Sequence, residues 1–172
     1  MYKKIEKEDY KICDNLDQNK KSYIYGEVYY KDIYNIINKY ELENKRFIDI
    51  GCGNGKIINY LSIKTNLIVD GIEIDKNRYQ KSLLLNNDNN CNEIINDTFE
   101  NLYLGNYDII YCCNTIFEDE DNNKLINKIL NEFSGLLLLF EYNRKICNYL
   151  IDIKKVKTSW NKCVSIYIFL IN

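Results

Sequence analysis

The sequence contains no histidine, no proline and no alanine among its 172 residues. Without histidine, imidazole bases, His-assisted Ser or Cys nucleophiles and imidazole metal ligands are excluded together. No apolar stretch approaches the roughly 20 residues that cross a bilayer. Met1-Tyr2-Lys3-Lys4 is not followed by an apolar run, so no secretory signal is expected, and an intracellular protein, nuclear or cytoplasmic, is. The formal net charge is only −2, which argues against a strong non-specific grip on nucleic acid. The seven cysteines are an odd number with no C-x-x-C spacing. They are expected as reduced, mostly buried thiols, with no metal site. Apolar residues make up 46% and charged residues 28%, the balance of one globular domain. Ile, Asn, Lys and Tyr dominate, a codon bias of AT-rich genomes such as those of parasites or large DNA viruses.

What is present is concentrated at residues 47–55: Phe47-Ile48-Asp49-Ile50-Gly51-Cys52-Gly53-Asn54-Gly55. A short apolar run ends on an acid and turns through alternate glycines into a helix. Such a loop lets a ligand lie directly on backbone N–H groups. The dinucleotide fingerprint is G-x-G-x-x-G, with its acid at the end of the next strand. Here the third glycine comes one residue early and an acid precedes the first. No Lys-Ser/Thr pair follows, so a phosphate-binding P-loop is excluded.

Residues 1–22 are polar and lysine-rich, an arm or short helix before a domain at 23–172. Helical spacing of Ile33, Ile36, Ile37 and Tyr40 predicts a helix over 26–42. Strands are expected at 47–50, 67–74, 93–95, 107–112 and 136–140, with helices at 56–64, 76–87 and 119–133 between them. The helix at 76–87 carries Tyr79, Leu83 and Leu84 as its apolar residues. Residues 151–156 and 164–171 are expected to pair as a closing hairpin. Strand–helix alternation predicts an α/β domain with a mainly parallel sheet.

Open α/β sheets bind ligands beyond the carboxyl ends of their strands. Asp49, Glu73, Asp97 and Asn114 fall at the ends of the first four expected strands. Each residue taken singly also suits a helix cap or turn.

The glycine segment resembles the first motif of Rossmann-like S-adenosylmethionine-dependent methyltransferases. The resemblance implies a seven-stranded class I fold with helices on both faces and S-adenosylmethionine as cofactor. Asp49 and Gly51 would then lie under its methionine part, Gly53 and Gly55 would give the close backbone approach, and Glu73 would accept from its ribose hydroxyls. Asp97 would accept from the adenine amine, with Thr98 and Phe99 beside the ring.

Three further segments are similar to the non-SET histone-lysine methyltransferases, the disruptor-of-telomeric-silencing family. They are Tyr25-Gly26-Glu27, a cofactor-covering loop; Tyr111-Cys112-Cys113-Asn114-Thr115-Ile116-Phe117, resembling an N-N-x-x-F stretch; and Ser159-Trp160 followed by Val164-Ser165-Ile166-Tyr167. Tyr25 and Glu27 are thereby implied at the cofactor, and Asn114, Phe117 and Tyr167 at the reacting end, with Trp160 beside them. The family has two asparagines where this chain has Cys113-Asn114, and Tyr167 matches only after a one-residue slip. The implied reaction is methylation of a protein lysine, with histone or nucleosome as acceptor. Lys3, Lys4, Lys7, Lys11, Lys154, Lys155 and Lys157 are candidates for DNA phosphate contact. Methylation of RNA or a small molecule, and a degenerate domain that binds without turnover, are the alternatives.

Overall fold

The computed structural model describes residues 26–86 and 91–172. The expected arm at 1–22, with Lys3, Lys4, Lys7 and Lys11, and Tyr25 lie outside the described residues.

The elements in chain order are α1 (Tyr30–Lys39), β1 (Arg46–Ile50), α2 (Lys56–Lys64), β2 (Ile68–Ile72), α3 (Lys76–Asn86), β3 (Cys91–Ile95), β4 (Ile109–Cys112), α4 (Asp119–Glu132), β5 (Gly135–Leu139), β6 (Leu150–Val156) and β7 (Val164–Ile171). Seven strands form one sheet in the order β3-β2-β1-β4-β5-β7-β6. The first five strands pair in parallel, and β7 runs antiparallel to both β5 and β6. The expected class I architecture with its antiparallel C-terminal pair is what forms.

Residues β4 and β5 are buried along nearly their whole length, which is why they read as continuous apolar runs. Side chains alternate between two cores. Phe47, Ile109, Tyr111, Leu136 and Leu138 pack with Ile33, Ile37, Ile58 and Leu61 of α1 and α2. Ile48, Ile50, Ile110, Leu137 and Leu139 pack with Leu125, Ile126 and Ile129 of α4 on the other face. Strand order reverses at β1, which lies between β2 and β4. The carboxyl ends of β1 and β4 therefore open the crevice in which such sheets bind ligands.

Two expected elements differ in instructive ways. The helix expected from residue 26 begins only at Tyr30, because the preceding residues pair with the far end of the chain. Val28 bridges Thr158, the Ser159 N–H donates to the Glu27 carbonyl at 2.7 Å and the Tyr29 N–H to the Lys157 carbonyl at 2.9 Å. In α3 the apolar residues do not set the buried face. Arg78, Ser82 and Asn86, spaced four apart, turn inward, while Leu83 and Leu84 are exposed. What α3 covers is the glycine loop and the Glu73 carboxylate, and these require hydrogen bonds rather than hydrocarbon.

The six described cysteines are free thiols. Only Cys52 and Cys112 are buried, fewer than expected, and Cys147 and Cys163 are exposed.

Candidate active site

A cavity of about 540 Å³ opens at the carboxyl ends of β1, β2 and β4. It is within the range of small-molecule sites, roughly 300–1,000 Å³. Its lining joins Asp49, Gly51 and Gly53 after β1, Glu73 after β2, Asp97, Thr98 and Phe99 after β3, Tyr111, Cys113 and Phe117 from β4 onward, and Gly26, Glu27, Ser159 and Trp160 from the two ends of the chain.

The glycine loop is held by the protein itself. The Gly51 and Cys52 N–H groups both donate to the Ile72 carbonyl, at 2.8 and 3.0 Å, and the Gly55 N–H donates to the Cys52 carbonyl at 2.9 Å. The Gly53 N–H donates to Glu73 Oε2 at 2.9 Å. These four N–H groups are spent, so the loop does not present the anion cradle that the sequence suggests. Its glycines serve conformation and proximity instead. Gly51 adopts φ +78°, and a Cβ there would point into open space on the cavity side. At Gly55, φ is +75° and a Cβ would meet Asn86 Nδ2 at 2.6 Å and Ser82 Cβ at 2.8 Å. The polar face of α3 fits the loop only because no side chain is there.

Glu73 is the organising acid. Besides Gly53, its carboxylate accepts from the Asp75 N–H at 2.8 Å and from Arg78 Nε and Nη2 at 3.2 and 3.1 Å. Glu73 and Arg78 are both buried, so this ion pair fixes the carboxylate between the loop and α3. Asp49 is the opposite case. It is 2% exposed, lines the cavity and makes no side-chain hydrogen bond among the described residues. Burial, with the nearby Glu73 charge, pushes its carboxyl well above the usual carboxylate range. Such a group is most easily satisfied by a cation in the cavity.

Asp97 is exposed and accepts from the Thr98 N–H and from Asn101 Nδ2, which aims it across the cavity edge. The Phe99 and Phe117 rings stack at 5.9 Å, making an aromatic wall. On the opposite rim the Trp160 ring lies against Gly26, where a Cβ would meet it at 2.6 Å. Ser159 Oγ accepts from the Glu27 N–H, and Glu27 in turn pairs with Lys56 at 2.7 Å. The Gly26-Glu27 segment and the Ser159-Trp160 segment thus close the cavity as one unit.

Of the residues expected at the reacting end, Phe117 and Trp160 line this cavity, and Asn114 and Tyr167 do not. Asn114 is buried just outside it: its Oδ1 accepts from the Phe140 and Glu141 N–H groups, each at 3.0 Å, and its Nδ2 donates to Asn122 Oδ1 at 2.7 Å. Cys113, one residue earlier, faces the cavity instead. Tyr167 packs against the core on the α4 side, with the Tyr142 ring 5.5 Å away. The strand-end reasoning did not find Arg78 or Tyr111. Arg78 had a signal, the spacing of Arg78, Ser82 and Asn86 on one helix face. Tyr111 read as an ordinary core aromatic.

Residues 13–93 match the family described as histone methylation protein DOT1. A curated relative, "Putative methyltransferase 235L" of Invertebrate iridescent virus 6, is 35% identical over 105 residues, or 56% of this chain. The match spans 37% of that relative's length. Among solved structures, an RNA methyltransferase from Salinibacter ruber, in complex with S-adenosyl-L-homocysteine, superimposes with a TM-score of 0.66 at 11% identity, covering 82% of this chain and 90% of that one. Magnesium protoporphyrin IX methyltransferase from Synechocystis, with S-adenosylmethionine bound, gives 0.65 at 12% identity over 81% and 76% of the two chains. The unpartnered Asp49, the glycine loop and the pre-oriented Glu73 fit S-adenosylmethionine, whose methionine end is cationic and whose ribose offers hydroxyl donors. The chain has the Rossmann-like fold of the S-adenosylmethionine-dependent methyltransferases and resembles the DOT1 histone methylation family.

Proposed function

We propose that the protein binds S-adenosylmethionine in this cavity and transfers its methyl group to the side-chain amine of a protein lysine, with histone as the acceptor that the family resemblance favours. The observation that carries the choice of acceptor is charge. The cavity is lined by six acids, Glu27, Asp49, Glu73, Asp97, Glu100 and Asp121, against two bases, Lys56 and Arg78. Both bases already hold acids, Glu27 and Glu73, and Lys124 reaches Glu100 at 3.8 Å, which leaves Asp97 and Asp121 as acids of the lining without an ion pair at the cavity mouth among the described residues. A negative cavity with an aromatic wall attracts a cationic amine and repels a phosphate backbone.

S-adenosylmethionine, when bound, supplies a methyl already activated on a sulfonium. The chain's own residues then have positioning and desolvation to perform. Asp49 takes the ammonium of the methionine part. Glu73, held by Arg78 and the Gly53 N–H, accepts from the ribose hydroxyls, and Asp97 accepts from the adenine amine. Glu27 and Trp160 cover the cavity. Phe117, with Trp160 across from it, excludes water around the entering amine, which lowers the amine's pKa and favours the neutral nucleophile. Cys113, where the family has an asparagine, offers a thiol in place of an amide. Burial pushes that thiol up to about 12, so it stays neutral.

Incubation with methyl-labelled cofactor and nucleosomes, free histones, RNA or lysate tests the reading. Label is expected in lysine of a protein acceptor. Label entering RNA alone overturns it, and tight cofactor binding without transfer to any acceptor shows a binding domain.

A further inference from the structure

Tyr111 is 1% exposed, yet it lines the cavity and its hydroxyl has no hydrogen-bond partner among the described residues. A buried phenol usually finds a partner. Nothing on either side can supply one: Phe47 and Phe140 flank the ring, with centroids at 6.4 and 6.1 Å. The neighbouring Cys113 thiol has its own contact, with Thr115 Oγ1 at 3.8 Å. Tyr111 sits directly opposite Asp49 in the β1–β4 register, so both side chains project from the same face of the sheet. Asp49 is the other buried cavity group without a side-chain partner.

The floor of the cavity therefore offers a lone acceptor and a lone donor side by side. Burial pushes the phenol well above its ordinary value, so it remains a protonated donor across the physiological range. A ligand that satisfies both offers a cationic donor and an acceptor close together, and an α-amino acid end, with ammonium and carboxylate on one carbon, is such a group. We propose that the Tyr111 hydroxyl binds the cofactor directly, donating to the carboxylate of its methionine part while Asp49 takes the ammonium. This rests on the cofactor reading above and assigns the carboxylate a recognition group from β4.

The test compares wild type with Tyr111→Phe, which removes one oxygen and leaves the ring. Calorimetric titration uses three probes: S-adenosylmethionine, S-adenosylhomocysteine and 5′-methylthioadenosine, which lacks the amino acid part. A hydrogen bond to a charged group predicts roughly tenfold or greater loss for the first two and no change for the third. Without ligand, the variant should melt at the same temperature as wild type or higher, since it loses an unsatisfied buried hydroxyl. Unchanged affinity for all three probes overturns the assignment. Equal loss for all three, or a lower melting temperature without ligand, also overturns it, because the hydroxyl would then support the fold. Loss confined to S-adenosylmethionine overturns it in favour of contact with the sulfonium methyl. If wild type binds none of the probes, the cofactor reading itself fails.

Discussion

Replacing Asn114 by alanine separates two roles that the sequence and the structure give this residue. The sequence places it beside the transferred methyl. In the fold it is a clamp: one side-chain oxygen holds the Phe140 and Glu141 N–H groups after β5, and its amide holds Asn122 in α4. Asn122 also donates to the Phe117 carbonyl at 3.3 Å, so the clamp reaches the aromatic wall. Alanine strands the Phe140 N–H, which is buried, at about 1–3 kcal/mol. Glu141 is exposed, so its N–H can turn to water, and its lost bond and the lost Asn122 bond cost about 1 kcal/mol each. The sum is about 3–5 kcal/mol, a fall in Tm of roughly 6–20 °C for a domain of this size. Asn114→Asp keeps the acceptor for both backbone groups but buries a carboxylate whose second oxygen meets Asn122 Oδ1, so its cost should fall as the pH is lowered and the group takes up a proton, whereas that of alanine should not. Thermal and urea unfolding, read by circular dichroism, measure both. If Asn114→Ala unfolds within about 2 °C of wild type while methyl transfer collapses, the clamp reasoning is refuted and Asn114 acts at the reacting end.

Arg78→Ala should destabilise the protein by about 3 kcal/mol or more in urea unfolding, because it leaves the Glu73 carboxylate buried without its cation. Arg78→Lys should recover only part of this, since one ammonium cannot reproduce two guanidinium N–H bonds, and a stability unchanged in Arg78→Ala would contradict the pairing. The raised carboxyl of Asp49 means that the folded state keeps a proton above pH 3.8 which the unfolded chain has released, so native stability falls as pH rises through that window; Asp49→Asn should flatten the slope. Cofactor binding at a pH where the free protein still holds this proton should release it, seen as calorimetric heats that vary with buffer ionisation enthalpy, and heats independent of buffer across that whole range would count against the assignment. Trp160 is the sole tryptophan and is 44% exposed, so its fluorescence reports on the cavity rim. Gly26→Ala should push the ring outward, shift its emission to the red and leave Tm within about 2 °C; an unshifted spectrum would refute the close contact.

The parts legible in the sequence are those whose local pattern dictates their structure. An apolar run closed by alternate glycines can do little but end a strand and start a helix, and β1, the loop and α2 follow it closely. The β5 run and the closing pair β6–β7 are equally direct. Hydropathy misleads at α3 because it scores burial against hydrocarbon. The surface under α3 is a glycine loop and a carboxylate, so Leu83 and Leu84 stay outside and a polar stripe goes in. At the end of β4 parity matters: side chains alternate, so Tyr111 and Cys113 share the Asp49 side, whereas Asn114 turns to the Phe140 and Glu141 N–H groups.

The same contrast divides the site. Its cofactor half is held by bonds between elements close in sequence: Glu73 to the Gly53 N–H, Arg78 to Glu73, Asn86 to the Gly55 carbonyl. The family match, residues 13–93, covers this half and ends before Asp97, Tyr111, Cys113, Phe117 and Trp160. The rest of the cavity is assembled from those later residues with Gly26 and Glu27, through contacts that span more than a hundred residues of chain, such as Ser159 Oγ with the Glu27 N–H. Its walls are an aromatic stack and a half-exposed tryptophan ring, held from behind by backbone hydrogen bonds. Packing of that kind tolerates a change of residue at modest cost, whereas the buried Glu73–Arg78 pair does not. The glycine loop and the Glu73–Arg78 pair are therefore fixed by the fold, whereas the aromatic rim is free to change with little cost to stability.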